Sequence, residues 1–313
     1  MTSWPDQPVT VVVPATSANL GPGFDALGLA LSLYDTVEAR VAASGVDVQV
    51  TGVGESQHWR PDQHLVIRAM RAGFAATGGQ PPGIAIRCRN EVPQSFGLGS
   101  SAAAIVAGLL AARSLAVARE AAADPADVLP DTDVLRLACE MEGHPDNVAA
   151  CLAGGLTIAF HTAAGLGVAR LTPLAGLAPV LCVPAVPVAT SAARKALPDQ
   201  VPHGDAAANA ARAALLIVAL TSRPDLLLPA TEDFLHERYR AAAMPRTAAL
   251  VATLREAGVP AVVSGAGPSV LALTVDGAAA GAAEVERMAA RAGAPWRVLP
   301  LRVDVEGARL IGG

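Results

Sequence analysis

From Pro93 to Ala103 the chain reads Pro-Gln-Ser-Phe-Gly-Leu-Gly-Ser-Ser-Ala-Ala, then continues as an unbroken run of Ala, Ile, Val and Leu. A glycine turn reaches backbone conformations closed to other residues, so Gly97 and Gly99 let the local amides point inward around an anion. The helix that follows brings free N–H groups and the positive end of its dipole to the same spot. The hydroxyls of Ser100 and Ser101 can bind a metal ion or a phosphate oxygen. The segment reads as a polyphosphate cradle, which narrows function towards nucleotide chemistry. Taken alone, it reads equally well as a helix start capped by serine. It is not a Walker A loop, because no Lys follows the glycines, and it lacks the third glycine of a dinucleotide fingerprint.

Two further blocks share this character. The first runs from Pro14 to Leu31 and contains Ser17-Ala18-Asn19-Leu20-Gly21-Pro22-Gly23-Phe24-Asp25; the other is Val263-Ser264-Gly265-Ala266-Gly267-Pro268-Ser269-Val270-Leu271. Each glycine turn follows a run of β-branched residues. In this order and at these separations the three blocks resemble the signature motifs of the GHMP small-molecule kinases, over nearly the whole chain. The form of the first block is similar to the branch that phosphorylates homoserine. So is Glu142-Gly143-His144-Pro145-Asp146-Asn147-Val148-Ala149, followed by Gly154-Gly155. Shorter pieces around Ser191 to Arg194 and ending in Arg240 fit the same branch.

The resemblance implies an α+β, two-domain GHMP kinase fold. A ribosomal-protein-S5-like N-terminal domain would span residues 1–160, and a ferredoxin-like α+β C-terminal domain residues 161–313. It implies ATP as phosphoryl donor, Mg²⁺ as cofactor and L-homoserine as acceptor, giving O-phospho-L-homoserine on the route to threonine. A cytoplasmic homodimer inhibited by threonine is implied as well. The nucleotide would rest on Pro93, Ser95, Gly97, Leu98, Gly99, Ser100, Ser101, Ala102 and Ala103, with Gly265 and Gly267 from the third block. Ser101 and Glu142 would hold the metal, Glu140 being the alternative two residues earlier. Asp25 would face the substrate ammonium, and Arg194 and Arg240 its carboxylate. Asn19 and Asn147 would hold the hydroxyl and neighbouring polar atoms. Ser101, Glu142 and Asn147 form the implied catalytic set. His144 and His203 sit in family-like contexts, the turn at His144-Pro145-Asp146 serving to place Asn147. No dedicated general base is implied, the hydroxyl proton passing to the phosphate.

The residue types suit this chemistry. Phosphoryl transfer rests on positioning and charge stabilisation. Mg²⁺ takes hard oxygen ligands, and the planar fork of Arg suits a carboxylate. Each assignment also has a plainer reading from the residues alone. Asp25 and Asn19 fit ordinary turn chemistry, the glutamates fit exposed helix charges, and the arginines fit surface cations. Rival functions are a GHMP kinase acting on mevalonate or a sugar, a dinucleotide-binding oxidoreductase using Gly21-Pro22-Gly23, and a non-catalytic binding protein of the same fold. Against the oxidoreductase stands Pro22 inside the motif.

Composition excludes other classes. The chain has 313 residues, 52% hydrophobic and 16% charged, with a net charge of −5. This supports a sizeable core and argues against nucleic-acid binding, since no basic run appears. Aromatics make up 3%, so Ala, Val and Leu carry the packing. Cys88, Cys139, Cys151 and Cys182 form no C-x-x-C pair, which argues against zinc and redox dithiols. No signal peptide is read, and the Ala/Leu-rich runs are expected to break before spanning a membrane.

Periodicity predicts strands at 9–13, 29–42, 46–51, 84–89, 156–161, 180–186, 261–264, 270–275 and 296–305. Helices are predicted at 64–76, 101–117, 134–142, 206–220, 246–257 and 282–292. The acidic segment 121–133, with Pro125 and Pro130, reads as a surface loop. Helices and strands alternate without regular βαβ repetition, which favours α+β over a doubly wound parallel sheet.

Overall fold

The computed structural model describes residues 4–57, 60–120, 124–163, 165–188, 190–275, 278–292 and 295–311, without the side chains of 190–192 and 278–279. The first part runs through β1 (Val9–Ala18), β2 (Leu27–Ala42), β3 (Gly45–Gly52), α1 (Leu65–Ala76) and β4 (Gly83–Asn90). Helices α2 (Ser100–Glu120), α3 (Pro125–Val128), α4 (Asp131–Glu142) and α5 (Asp146–Ala153) precede the hairpin β5 (Leu156–Thr162) and β6 (Gly165–Leu171). Then come β7 (Leu177–Pro184), α6 (Thr190–Lys195), α7 (His203–Thr221), α8 (Leu227–Ala230), α9 (Glu237–Arg240) and α10 (Pro245–Glu256). The chain closes with β8 (Ala261–Val263), β9 (Val270–Val275), α11 (Ala278–Arg291), β10 (Trp296–Pro300) and β11 (Arg309–Leu310).

These strands form a seven-stranded sheet and a four-stranded sheet. The larger runs β11-β1-β2-β4-β3, with the β5–β6 hairpin joined to β2, and the smaller runs β10-β7-β9-β8. Pairing is antiparallel except between β3 and β4. The α+β class read from the sequence is the class observed.

Three apolar clusters organise the packing. In the first, Val11, Val13 and Val37 of the large sheet meet Ile67 and Phe74 of α1 and Ile105 and Leu109 of α2. Helix α2 is apolar on every side and buried along most of its length, as a helix enclosed in a core must be. The second cluster joins Leu20, Leu29 and Leu98 to Leu181, Leu216, Val262 and Leu271, so side chains from both sheets share one core. That shared core brings together the ends of β1 and β8, and with them the first and third glycine blocks. A third cluster packs α10 and α11 on the small sheet.

Three expectations need correction. Residues 121–123 of the expected loop lie outside the described residues, but the rest is largely helical. Pro125 starts α3, where the Asp124 side chain caps Ala126 N at 2.8 Å, and Pro130 directly precedes α4. Proline has no N–H to lose at a helix start, so these prolines begin helices instead of marking a loop. The strand expected at 296–305 stops at Pro300; Val303 adds only a single bridge to Leu31, and the short β11 follows. Finally, Ser100–Glu120 and His203–Thr221 are long and apolar enough by composition to cross a membrane, contrary to the reading that such runs are broken. The first of them is the core helix α2.

Candidate active site

The cradle segment lines a cavity of about 330 Å³ through Ser95, Gly97, Leu98, Gly99, Ser100 and Ser101. Gly97 and Gly99 hold φ of 74° and 66°. A Cβ on Gly97 would lie 2.1 Å from the Ser264 carbonyl, and one on Gly99 2.0 Å from Thr16 Oγ1. Both positions therefore need glycine for close approach as well as for backbone conformation. Helix α2 begins directly from this loop, Ala103 N donating to Gly99 O at 2.9 Å. Ala102 and Ala103, expected in the cradle, are fully buried and belong to the first core. Pro93 is buried and Gly267 packs against Met244, so neither lines the cavity.

The three glycine blocks meet at one junction. Ser264 Oγ lies 2.7 Å from Gly97 O and 2.9 Å from Ser17 Oγ. A carbonyl can only accept, so Ser264 donates to Gly97 O and accepts from the Ser17 hydroxyl. Gly265 N donates to Ala18 O at 3.0 Å, and Thr16 N donates to Leu98 O at 3.0 Å.

Beside the cradle, Ser101 Oγ donates to Glu142 Oε2 at 2.7 Å. Glu142 ends α4, whose chain reverses at Gly143 with φ of 91°, and its side chain is 9% exposed. Burial pushes the Glu142 carboxyl above its ordinary range, against the opposing hydrogen bond from Ser101. Glu140 instead faces outward and pairs with Arg136 at 2.9 Å. A hydroxyl and a carboxylate, both hard oxygen donors, suit a Mg²⁺ ion that takes its other ligands from water and phosphate. Among the described residues no group of three His, Cys, Asp or Glu forms a metal-binding cluster.

The turn after Glu142 behaves as read. Asp146 Oδ1 accepts from Asn147 N at 2.8 Å and lies 2.9 Å from His144 Nδ1. Asn147 Oδ1 accepts from Thr16 Oγ1 at 2.7 Å, a partner that the sequence reading missed. The Asp146 carboxylate holds the His144 imidazole above its ordinary pKa. His203, by contrast, opens α7 on the surface, away from the cavity.

The far end of the cavity is charged. Asp25 and Arg194, assigned to opposite ends of a zwitterion, pair with each other through two bonds of 3.1 and 2.7 Å. Asn19 is committed to loop structure: its amide donates to Gly265 O at 2.7 Å, and its Oδ1 accepts from Asp25 N at 3.0 Å. With φ of 67° it adopts the left-handed turn conformation that asparagine tolerates. The plainer reading of Asn19 thus describes what its side chain does here. Arg240 departs from the plainer reading, being only 2% exposed. Its Nε donates to Ala193 O at 3.2 Å and its Nη1 to His236 Nδ1 at 3.1 Å. Among the described residues no carboxylate forms an ion pair with it. Burial, followed by the nearby Arg194 charge, lowers its pKa.

At the other end Leu65 and Val66 line the cavity with Val13 and Val37. Asp35 is also there, buried, and no sequence motif marks it. Burial raises its carboxyl to about 6 although Glu91 N and Val92 N both donate to it.

Comparison with known proteins places this geometry. Residues 64–155 match the GHMP kinases N-terminal domain and residues 207–293 the GHMP kinases C-terminal domain. A homoserine kinase of Streptomyces coelicolor is 52% identical over 97% of this chain and 94% of its own. One from Mycolicibacterium vanbaalenii is 50% identical over 87% of this chain and 86% of its own. The crystal structure of homoserine kinase from Cytophaga hutchinsonii superposes with a TM-score of 0.82 at 27% identity, covering 99% of both chains. Mevalonate kinase of L. major shares the fold, with a TM-score of 0.68 at 15% identity over 98% of this chain and 99% of its own.

Proposed function

This chain belongs to the GHMP kinase family, and we propose that it transfers the γ-phosphoryl group of ATP to the hydroxyl of L-homoserine, giving O-phospho-L-homoserine and ADP. The observation that carries the choice of a carboxylate-bearing acceptor is Arg240; a sugar lacks that group, and mevalonate, which has it, is set apart by Asp25. A guanidinium buried to 2% exposure without a carboxylate partner is costly unless an anion joins it. An amino-acid carboxylate supplies that anion, and Asp25, now shared with Arg194, offers a counter-charge for its ammonium. A mevalonate or sugar acceptor has no ammonium for Asp25 to meet.

Gly97 to Ser101 and the first turn of α2 cradle the polyphosphate through backbone amides. Leu65 and Val66 offer apolar contact to the base. Ser101 and Glu142 would hold Mg²⁺, which when bound draws charge from the transferring phosphoryl group. Asn147, braced by Thr16, stands between the cradle and the charged end, where it can orient the acceptor hydroxyl. With little covalent chemistry for the protein to do, holding donor and acceptor in line is its main contribution.

The test is ATP consumption against homoserine, mevalonate, galactose and threonine, with Arg240→Leu alongside. Homoserine should be the turned-over acceptor. In the variant its KM should rise by roughly 10- to 100-fold, matching a lost charge-assisted bond of about 1.5–3 kcal/mol. ATP affinity should stay within about twofold. An equal fall in ATP affinity would make Arg240 a phosphate-binding or structural residue and remove the main support for an amino-acid acceptor.

A further inference from the structure

His236 is fully buried, lies in no glycine block, and yet touches both Arg240 and the loop that carries Asp25. Its Nε2 is 2.8 Å from the Gly21 carbonyl of the first block. Its Nδ1 is 3.1 Å from Nη1 of Arg240, one turn further along. Its ring stacks on Phe24, with centroids 5.3 Å apart and planes at 30°. The partners dictate the state of the ring. A carbonyl can only accept, so Nε2 carries a hydrogen; an arginine N–H can only donate, so Nδ1 is bare. One neutral tautomer satisfies both, and a second proton on Nδ1 would face the Arg240 guanidinium.

The surroundings hold the ring there. Asp233, itself buried, accepts from His236 N at 2.8 Å and from Glu237 N at 2.7 Å, which orders the turn entering α9. Asn209 of α7 donates to Pro22 O at 2.8 Å and accepts from Phe234 N at 3.1 Å, a second fastening between the same two segments. Arg240 is thus held from three sides: by His236, by Ala193 O of α6 and, at 3.4 Å, by Gly265 O.

We infer that His236 is a positioning residue for the acceptor: as a neutral Nε2–H imidazole it locks the Arg240 guanidinium to the Gly21–Asp25 loop, and so sets affinity for the substrate carboxylate. The inference rests on Arg240 being the carboxylate partner. His236 touches neither the cradle nor Glu142, so its loss should be felt in acceptor binding and little in nucleotide binding or turnover. This is the pattern of an interaction made equally in the ground and transition states.

The experiment uses the full chain and four variants: His236→Leu, His236→Asn, His236→Gln and Arg240→Leu, together with the Leu/Leu double variant. An asparagine amide can place an acceptor near the position of Nδ1, whereas a glutamine amide can place a donor near that of Nε2. His236→Leu should raise the homoserine KM about tenfold, with the ATP KM unchanged within about twofold. His236→Asn should recover most of that loss and His236→Gln little of it. These two variants are compared with each other, so a general loss of core packing does not mimic the result. The double variant should be no worse than Arg240→Leu alone, because His236 acts through Arg240. ¹⁵N spectra of histidine-labelled protein should show His236 as the neutral Nε2–H form at pH 7. Rescue by Gln in place of Asn, multiplicative effects in the double variant, or a doubly protonated ring would each overturn the inference while leaving the Arg240 reading intact. A homoserine KM unchanged by Arg240→Leu would overturn that reading, and this inference with it.

Discussion

Two glutamates two residues apart on α4 have opposite fates, and the difference decides where a metal can sit. Glu142 faces inward at 9% side-chain exposure and accepts from Ser101 at 2.7 Å. Glu140 is 59% exposed and joined to Arg136, a surface pair of the kind worth at most about 1 kcal/mol. Glu142→Gln should therefore raise the Mg²⁺ concentration for half-maximal activity and lower turnover on the order of 10²-fold. Glu140→Gln should do neither. A Mg²⁺ titration of both variants checks this, and an effect confined to Glu140→Gln would move the ligand to the outer face of α4.

At the scale of elements, the approach to the cradle depends on β2. Asp35 accepts from Glu91 N at 2.7 Å and Val92 N at 2.9 Å, fastening the chain just after β4 as it heads for Gly97. Burial raises this carboxyl from 3.8 to about 6, so the folded state holds its proton more tightly than the unfolded chain does. The stability this contributes is full below about pH 4 and is lost as pH rises through about 6. Asparagine keeps the acceptor oxygen without the charge. Asp35→Asn should then gain on the wild type as pH rises from about 4 to about 7, by on the order of 2–3 kcal/mol. Urea unfolding across that range, without nucleotide, measures the gap, and a difference independent of pH would refute it.

On the scale of the whole molecule, the site exists because two sheets share a core and three glycine blocks meet at one hydroxyl. Ser264 links Gly97 of the cradle to Ser17 of the first block. Ser264→Ala would leave a part-buried carbonyl and a buried hydroxyl short of a partner, costing about 1–3 kcal/mol. The expected result is a lower urea midpoint accompanied by weaker ATP binding, since the proposed cradle loses its brace from the loop after β8. An unchanged midpoint would mean that the Ser264 hydroxyl does not help to join the two halves.

What could be read along the chain was local. A glycine turn running into an apolar helix makes its amides available wherever the fold puts it, so the proposed cradle at Gly97 to Ser101 follows from residue order. The backbone turn before Asn147 was legible because the Asp146 bonds to His144 and Asn147 span one or two residues, whereas Ser101 and Thr16 reach Glu142 and Asn147 across 41 and 131 positions. Other features lay beyond local reading. Asp25 meets Arg194 across 169 positions, and Asn19 reaches Gly265 across 246. No periodicity reports such pairings, because they depend on how the two sheets close on their common core. The same closure buries Arg240, a residue type that sequence statistics place at the surface, and sets His236 between it and Gly21. Sequence by itself determined which backbone could hold a phosphate. Only the tertiary structure decided which charges face one another, because that requires contacts whose partners are remote along the chain and close only in space.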